Sequence, residues 1–346
     1  MNNFVDIGIH LGLSNCSVAF WNPQTQAPEI CNKNDNRKRM MPSYVSFSQL
    51  PTELLIGEAA EKDNEREYVI YDSLKFIGKI FEEVDEREDE LENYLFDFMQ
   101  KENLVQLGVK TSLSENEKEW FYPEEIVGYL LKEMIRNVKM KINEEEIRNV
   151  AISVPDDFDY KQKEAIVRAC KLAGLNKFEL IDEAMASMIF VKYLFEEKNN
   201  SLKNVVIINF TDETLNVSCC VLDDSGEIGV KSSGTNQLIG GKDFKNIIID
   251  MIKEQLIVNS GDDTIVQKLF EKKSRQTRKE RREMVKRRNE LMIQAEEVNR
   301  TLTNCHNVTI EFNFSKGKTN EDSYFVSIDR PVLTKLFFGI FGLDFW

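Results

Sequence analysis

The chain has 346 residues, of which 42% are hydrophobic and 30% charged, and a formal net charge of −14. That length suits two lobes or domains better than one small core, and the composition is that of a soluble globular protein, not a disordered one. The negative balance argues against non-specific binding to nucleic acid or to an anionic membrane.

The opening, MNNFVDIGIH, has neither the basic nor the apolar region of a secretory signal, and no run has the length that crosses a bilayer. The six cysteines show no CxxC spacing, so reduced, buried thiols in a cytoplasmic protein are expected. His10 and His306 are the only histidines, which argues against a histidine-based metal site or a Ser-His-Asp triad.

In chain order, VDIGIHLGLSNCSVAF (5–20) reads as two short strands around a turn at Gly12-Leu13-Ser14-Asn15, with His10 at its entrance. MMPSYVSF supplies another strand. The stretch from LLIGEAAEKD to about residue 100 mixes helical spacing with heavy acidity, and EEVDEREDELENY (82–94) reads as a solvated helix face. YPEEIVGYLLKEMIRNVKMKI opens with Pro123 and two glutamates and repeats Ile126, Leu130, Met134 and Val138, which predicts a helix. VAISVP (150–155) is a buried strand. DYKQKEAIVRACKLAGLN follows as a helix capped by Asp159, with Gln162 three residues on, and closing at Gly174. FELI is a short strand, and DEAMASMIFVKYLFEE a further helix.

The opening pattern then returns. In 204–233, strand, turn at 211–214, strand, turn at 223–226 and strand follow one another. Ile208-Asn209-Phe210-Thr211 aligns with Ile9-His10-Leu11-Gly12, which points to an internal duplication at the level of whole lobes. A helix opened by Gly240-Gly241 comes next. The basic run at 271–290 has interspersed acids and no aromatic to stack on a base, so it reads as a solvated helix face and not an RNA-binding patch. NVTIEFNF and YFVSID form a hairpin, and RPVLTKLFFGIFGLDFW starts a last helix that soon stops.

Taken in order, the anchors GIHLGLSN, PSYVSF, LIGEAA, YPEEI, VPDDFDYKQKEAI, AGLN, IDEAMAS, IGGKDF and NRTLTN resemble the nucleotide-binding domain of the heat-shock-70 chaperone family, from about residue 4 to about residue 340. His10 and the DFDYKQK wording look most like the family's atypical branch that partners a J-domain protein on ribosomes. The resemblance implies an α/β fold, the duplicated actin-like or hexokinase-like ATPase architecture. Its two lobes, 1–198 and 199–346, would each carry a mixed sheet and helices. The second would be incomplete at its C-terminal end, with the apolar FFGIFGLDFW as an exposed edge and no peptide-binding domain following.

The same resemblance implies that two phosphate hairpins hold the nucleotide with backbone N–H groups, helped by carboxylates for a hydrated metal, a lysine and a glutamate. Gly12, Ser14 and Asn15 match the first hairpin, but His10 stands at the metal-side aspartate and Leu13 at a threonine. The lysine position is Leu74, and on a helix the neighbouring Lys75 would point about 100° away. Glu183 and Pro155 match the catalytic strand–helix turn. The second hairpin departs most: Asn209 replaces an aspartate, Thr211-Asp212-Glu213 replace three glycines, Thr214 matches, and Asn216 replaces a later aspartate. A carboxylate within about 4 Å of a phosphate oxygen would repel it by about 4 kcal/mol at an effective dielectric of 20. On the adenosine side, Gly240, Gly241, Glu296, Arg300 and Thr303 match, while Asn299 stands at a lysine.

Ordinary readings stand beside these. His10 fits a satisfied hairpin histidine, Glu183 a structural hydrogen bond, Asp212 and Glu213 plain turn formers, and Glu296–Arg300 an i,i+4 salt bridge. Arg300 is the leading candidate for a surviving nucleotide contact, since a guanidinium stacks on a purine. The expectation is therefore a chaperone partner or scaffold that binds ATP or ADP weakly, holds magnesium poorly and has lost hydrolysis; the alternative is a working ATPase with a rearranged phosphate site using Lys75 and Glu183. By resemblance the partners are a J-domain co-chaperone, a nucleotide exchange factor or the ribosome, with no DNA and no membrane.

Overall fold

The computed structural model describes residues 4–31, 40–63, 65–85, 91, 94–142, 146–196, 204–223, 226–236, 239–270, 278–313 and 323–340. The acidic face therefore lies partly outside the described residues, as do 271–277 of the basic run and 341–346 of the apolar end. The chain forms two compact units: Met1–Asn209 with Asn216–Thr235, and Phe210–Leu215 with Asn236–Trp346.

In the first unit, β1 (Phe4–His10), β2 (Asn15–Asn22) and β3 (Ala27–Cys31) form an antiparallel meander. Val5, Ile7 and Ile9 are buried on alternate positions of β1, the period that a half-buried strand requires. Further along lies a separate three-stranded antiparallel sheet of β4 (Asp97–Lys101), β5 (Leu104–Thr111) and β6 (Ser114–Phe121). The sequence pattern alone predicts no element between 101 and 121. On β5 the polar Gln106 is buried beside Val105, Leu107 and Val109, which blurs the alternation that betrays a strand.

The helix α1 (Pro123–Lys141) begins with the expected proline, and Glu125 Oε2 accepts the Tyr122 N–H at 2.7 Å. Its buried Ile126, Leu130, Met134 and Val138 form the stripe legible in the sequence. β7 (Glu146–Val154) then runs parallel to β1 and places Ser153 opposite His10. The helix α2 (Tyr160–Leu172) carries the reciprocal cap: Asp159 Oδ1 accepts the Gln162 N–H at 2.8 Å, and Gln162 Oε1 accepts the Asp159 N–H at 3.1 Å. β8 (Glu179–Asp182) pairs parallel to β7 and leads directly into α3 (Glu183–Glu196). The central sheet thus runs β8-β7-β1-β2-β3, with Met41–Pro42 paired to the start of β2. Its core joins β1, β2 and β7 to α1 and α2.

The strands β9 (Asn204–Phe210), β10 (Leu215–Leu222) and β11 (Ile228–Asn236) form a three-stranded sheet in that order, matching the strand–turn–strand repeat read from 204–233.

In the second unit, α4 (Gly241–Ser260) and α5 (Arg278–Asn304) bury Ile248, Ile252 and Leu256 against Leu291, Ala295, Val298 and Leu302. The hairpin of β12 (Asn307–Asn313) and β13 (Ser323–Asp329) adds Val326 and Ile328 to this core, and α6 (Arg330–Ile340) adds Leu333. The described part of the basic run is helical, with Arg288 and Glu290 exposed and Met284 and Val285 buried.

Candidate functional site

The turn that closes β1 onto β2 is built around Gly12. A Cβ there would lie 2.2 Å from the Asn15 carbonyl oxygen, so only glycine lets the chain double back this tightly. Ser43 holds the turn from outside: its Oγ donates to the Gly12 carbonyl at 2.9 Å and its N–H to the Ser14 carbonyl at 2.9 Å. Leu13 is half-buried against the core, and Ser14 and Asn15 are half-buried. Leu74 is a core residue on the short helix Ser73–Phe76, and Lys75 beside it is half-buried.

At the entrance to this turn His10 meets two polar side chains. Its Nδ1 lies 3.2 Å from Ser153 Oγ and 3.6 Å from Glu183 Oε1. Glu183 Oε2 accepts a 2.5 Å hydrogen bond from Asn209 Nδ2. Glu183 is only 6% exposed. That burial, reinforced by the nearby Asp156 charge and opposed by the Asn209 bond, pushes its carboxyl up to about 7. Burial also lowers the His10 imidazole from its ordinary value. The His10–Glu183 contact is therefore no full ion pair near neutral pH, because burial disfavours the charge on both groups. Asp156 caps α3 by accepting the Ala184 N–H at 3.0 Å, while its buried Oδ2 has no hydrogen-bond partner among the described residues. Desolvation raises Asp156 as well.

Around His10 and Asn209 the donor set is poor in the anionic oxygens that magnesium prefers. Magnesium takes hard, anionic oxygens. Here an imidazole and an amide stand where the resemblance expects carboxylates, and the one buried glutamate between them is substantially protonated near neutrality.

The turn at 211–214 in the second unit is held differently. Thr211 N–H donates to the Thr214 carbonyl at 2.8 Å, and Thr214 N–H to Thr211 Oγ1 at 3.0 Å. The first N–H groups of α4, which would otherwise suit an anion, donate to this turn: Gly241 to the Thr211 carbonyl at 2.9 Å and Lys242 to the Asp212 carbonyl at 2.8 Å. Gly240 permits the approach, since a Cβ there would sit 2.5 Å from the Asp212 carbonyl oxygen. Its own N–H donates to Asp243 Oδ2 at 2.8 Å.

Charges complete the contact. Lys242 pairs with Glu213. Lys245 Nζ lies 2.8 Å from Glu296 Oε2 and 3.4 Å from Asp212 Oδ1. Burial works against its charge, but Asp212 and Glu296 outweigh it and hold the Lys245 pKa above the ordinary value. Arg300 Nε is 3.3 Å from Glu296 Oε1, the i,i+4 pair seen in the sequence, with most of its side chain exposed. Thr303 Oγ1 donates along its own helix to the Asn299 carbonyl.

The structure thus gathers Gly12, Leu13, Ser14 and Asn15 in one turn with His10 and Glu183 nearby. It gathers Thr214, Gly240 and Gly241 in another, which Lys245 ties to Glu296 and so to Arg300. Sequence reasoning missed Ser43, Ser153, Asp156, Lys242 and Lys245. Only the lysines carried a signal: two cations three apart on a helix, facing a DE turn.

A polar hairpin turn that recurs in both units, on a mixed α/β framework with helices behind the strands, defines an actin-like nucleotide-binding class. The family model described as Hsp70 protein matches residues 6–341, and the chain belongs to the Hsp70 family, with its actin-like ATPase fold. Heat shock 70 kDa protein 13 of Homo sapiens is 30% identical over 257 residues, covering 74% of this chain and 52% of that protein. Heat shock 70 kDa protein II of Paracentrotus lividus is 28% identical over 244 residues, covering 70% and 62%. Heat shock 70 kDa protein of Trichophyton rubrum is 29% identical over 248 residues, covering 70% and 36%. The chain spans about half the length of the curated relatives it matches. The family and fold class expected from the sequence anchors both hold. No described helix is long and apolar enough to cross a membrane.

Proposed function

We propose that this chain is an Hsp70-family nucleotide-binding domain that serves protein folding as a chaperone partner or scaffold, binding adenine nucleotide weakly and hydrolysing ATP little or not at all. The observation that carries this is the cluster of His10, Glu183 and Asn209, in which neutral groups flank the one buried carboxylate. Phosphoryl transfer draws nearly all its rate from metal, lysine and preorganised donors aimed at the phosphates. Here Leu74, at the expected lysine position, is core, and His10, at the metal-side position, is an imidazole whose charge burial disfavours. In this reading Gly12 to Asn15 keep their role as a tight turn, and Arg300 supplies an exposed guanidinium for a purine face. Calorimetric titration with ATP and ADP, with and without magnesium, tests it. Weak affinity that magnesium leaves unchanged is expected; tight, magnesium-dependent binding would overturn the reading.

Partners of this role would be a J-domain protein, a nucleotide exchange factor or the ribosome, in the cytoplasm, with actin-like lobes dividing at 198/199. One observation favours a second reading, a working ATPase: a Glu183 carboxyl near pH 7 is in the range of a general base. Single-turnover hydrolysis above the buffer rate, abolished by Glu183→Gln, would select it.

A further inference from the structure

We propose that the 211–214 turn is a built-in phosphate surrogate, which makes the second unit a cradle for a purine nucleoside in preference to a nucleoside triphosphate. The inference rests on the adenine-nucleotide reading of α5 given above. What it adds comes from the turn itself. An N-terminus of α4 able to receive an anion would offer the N–H groups of Gly241 and Lys242 and the ammonium groups of Lys242 and Lys245. Each is already engaged: the two N–H groups by the Thr211 and Asp212 carbonyls, Lys242 by Glu213, and Lys245 by Asp212 and Glu296. Glu296, the nearer partner of Lys245, lies on α5; Asp212 and Glu213 belong to the turn where the resemblance places three glycines. They do the work that phosphate oxygens would do.

An intramolecular carboxylate is present at an effective concentration far above that of any free ligand. A triphosphate arriving here must displace Asp212 and Glu213 from their lysines and then lie beside them, unpaired and like-charged. A nucleoside meets neither cost. Glu296 and Arg300 are four apart and share one face of α5, and Arg300 is mostly exposed beside Glu296, so a sugar hydroxyl acceptor and a stacking cation stand together without an anion being needed.

The test is calorimetry with adenosine, ATP and inorganic triphosphate, without magnesium, on the full chain and on the isosteric double variant Asp212→Asn with Glu213→Gln. A second variant, Arg300→Ala, reports on the base contact, and thermal melts check that each protein is folded. Adenosine is expected to bind the unaltered chain at least as tightly as ATP. The double variant should gain about tenfold or more in ATP and triphosphate affinity, with adenosine little changed. Arg300→Ala should weaken adenosine. ATP binding about tenfold tighter than adenosine to the unaltered chain, or no gain in the folded double variant, would overturn the surrogate while leaving the adenine reading standing. If neither ligand binds either protein, the adenine reading falls and this inference falls with it.

Discussion

The two hairpin turns do the same backbone task with opposite chemistry. The turn at 12–15 is held by neutral hydrogen bonds from Ser43, over a floor of packed side chains, with an uncharged histidine at its mouth. The turn at 211–214 is held by ion pairs to Lys242 and Lys245 and by the first N–H groups of a helix. Each turn therefore satisfies its backbone groups from within the chain, the first by buried neutral bonds and the second with internal charge. The contrast predicts that the first turn responds to core packing and pH, and the second to ionic strength.

The largest effect should come from the floor of the first turn. Leu11 is 1% exposed and belongs to the main core. Leu11→Ala should cost about 2–5 kcal/mol in urea unfolding, the transfer term plus the cavity. A loss well under 1 kcal/mol would show that the turn does not rest on the core as argued.

Next in size is the pH response of Glu183. Its carboxyl is raised in the folded chain to about 7 from an ordinary 4.5. The folded state therefore holds its proton more tightly than the unfolded one. That stabilisation is complete below about pH 4.5 and is lost as pH rises through about 7. Glu183→Gln, which keeps the shape without the ionisation, should match the parent chain near pH 4.5 and exceed it by about 3 kcal/mol at pH 8. A stability difference flat across that range would mean that Glu183 is not buried in its acid form.

How much of this could be read in advance varies with the physics. The α1 stripe, the Asp159–Gln162 cap and the β12–β13 hairpin follow from local periodicity and short-range hydrogen bonds, so the sequence displays them. The β4–β6 sheet does not, because Gln106 is buried and Gly108 lies under the ring of Trp120, contacts that only the assembled fold creates. At the candidate site, the identity of His10, Glu183 and Asn209 was legible but their mutual contact was not. Those residues are far apart in the chain and meet only through strand register and the start of α3. The same holds for Lys245, whose partners Asp212 and Glu296 lie on different elements. Charge sign is written in a sequence; which charges face each other is not.

The glycines give a direct comparison of the two turns at equal chemistry. Gly12→Ala and Gly240→Ala each push a Cβ into backbone, at 2.2 Å from the Asn15 oxygen and 2.5 Å from the Asp212 oxygen. Each should cost about 1–3 kcal/mol, as forced overpacking does. Chemical denaturation of the two variants checks this. If Gly240→Ala were harmless, the turn would not be seated on α4, and the contrast drawn above would lose its second half.

The smallest effect is the most specific to the comparison. A double-mutant cycle on Lys242 and Glu213, whose side chains are 32% and 26% exposed, should return a coupling of about 0.5–1 kcal/mol at low salt. Because the pair is partly solvated, the coupling should shrink as the Debye length falls toward about 3 Å near 1 M salt. The matching cycle on Ser43 and Cys16, whose Oγ and Sγ lie 3.2 Å apart beside the first turn, has no charge to screen, so any coupling there should be insensitive to salt. Equal salt sensitivity in both cycles would remove the distinction between a turn held by neutral bonds and one held by its own ions. It would also remove the reason to expect that neutralising Asp212 and Glu213 frees the lysines for a phosphate.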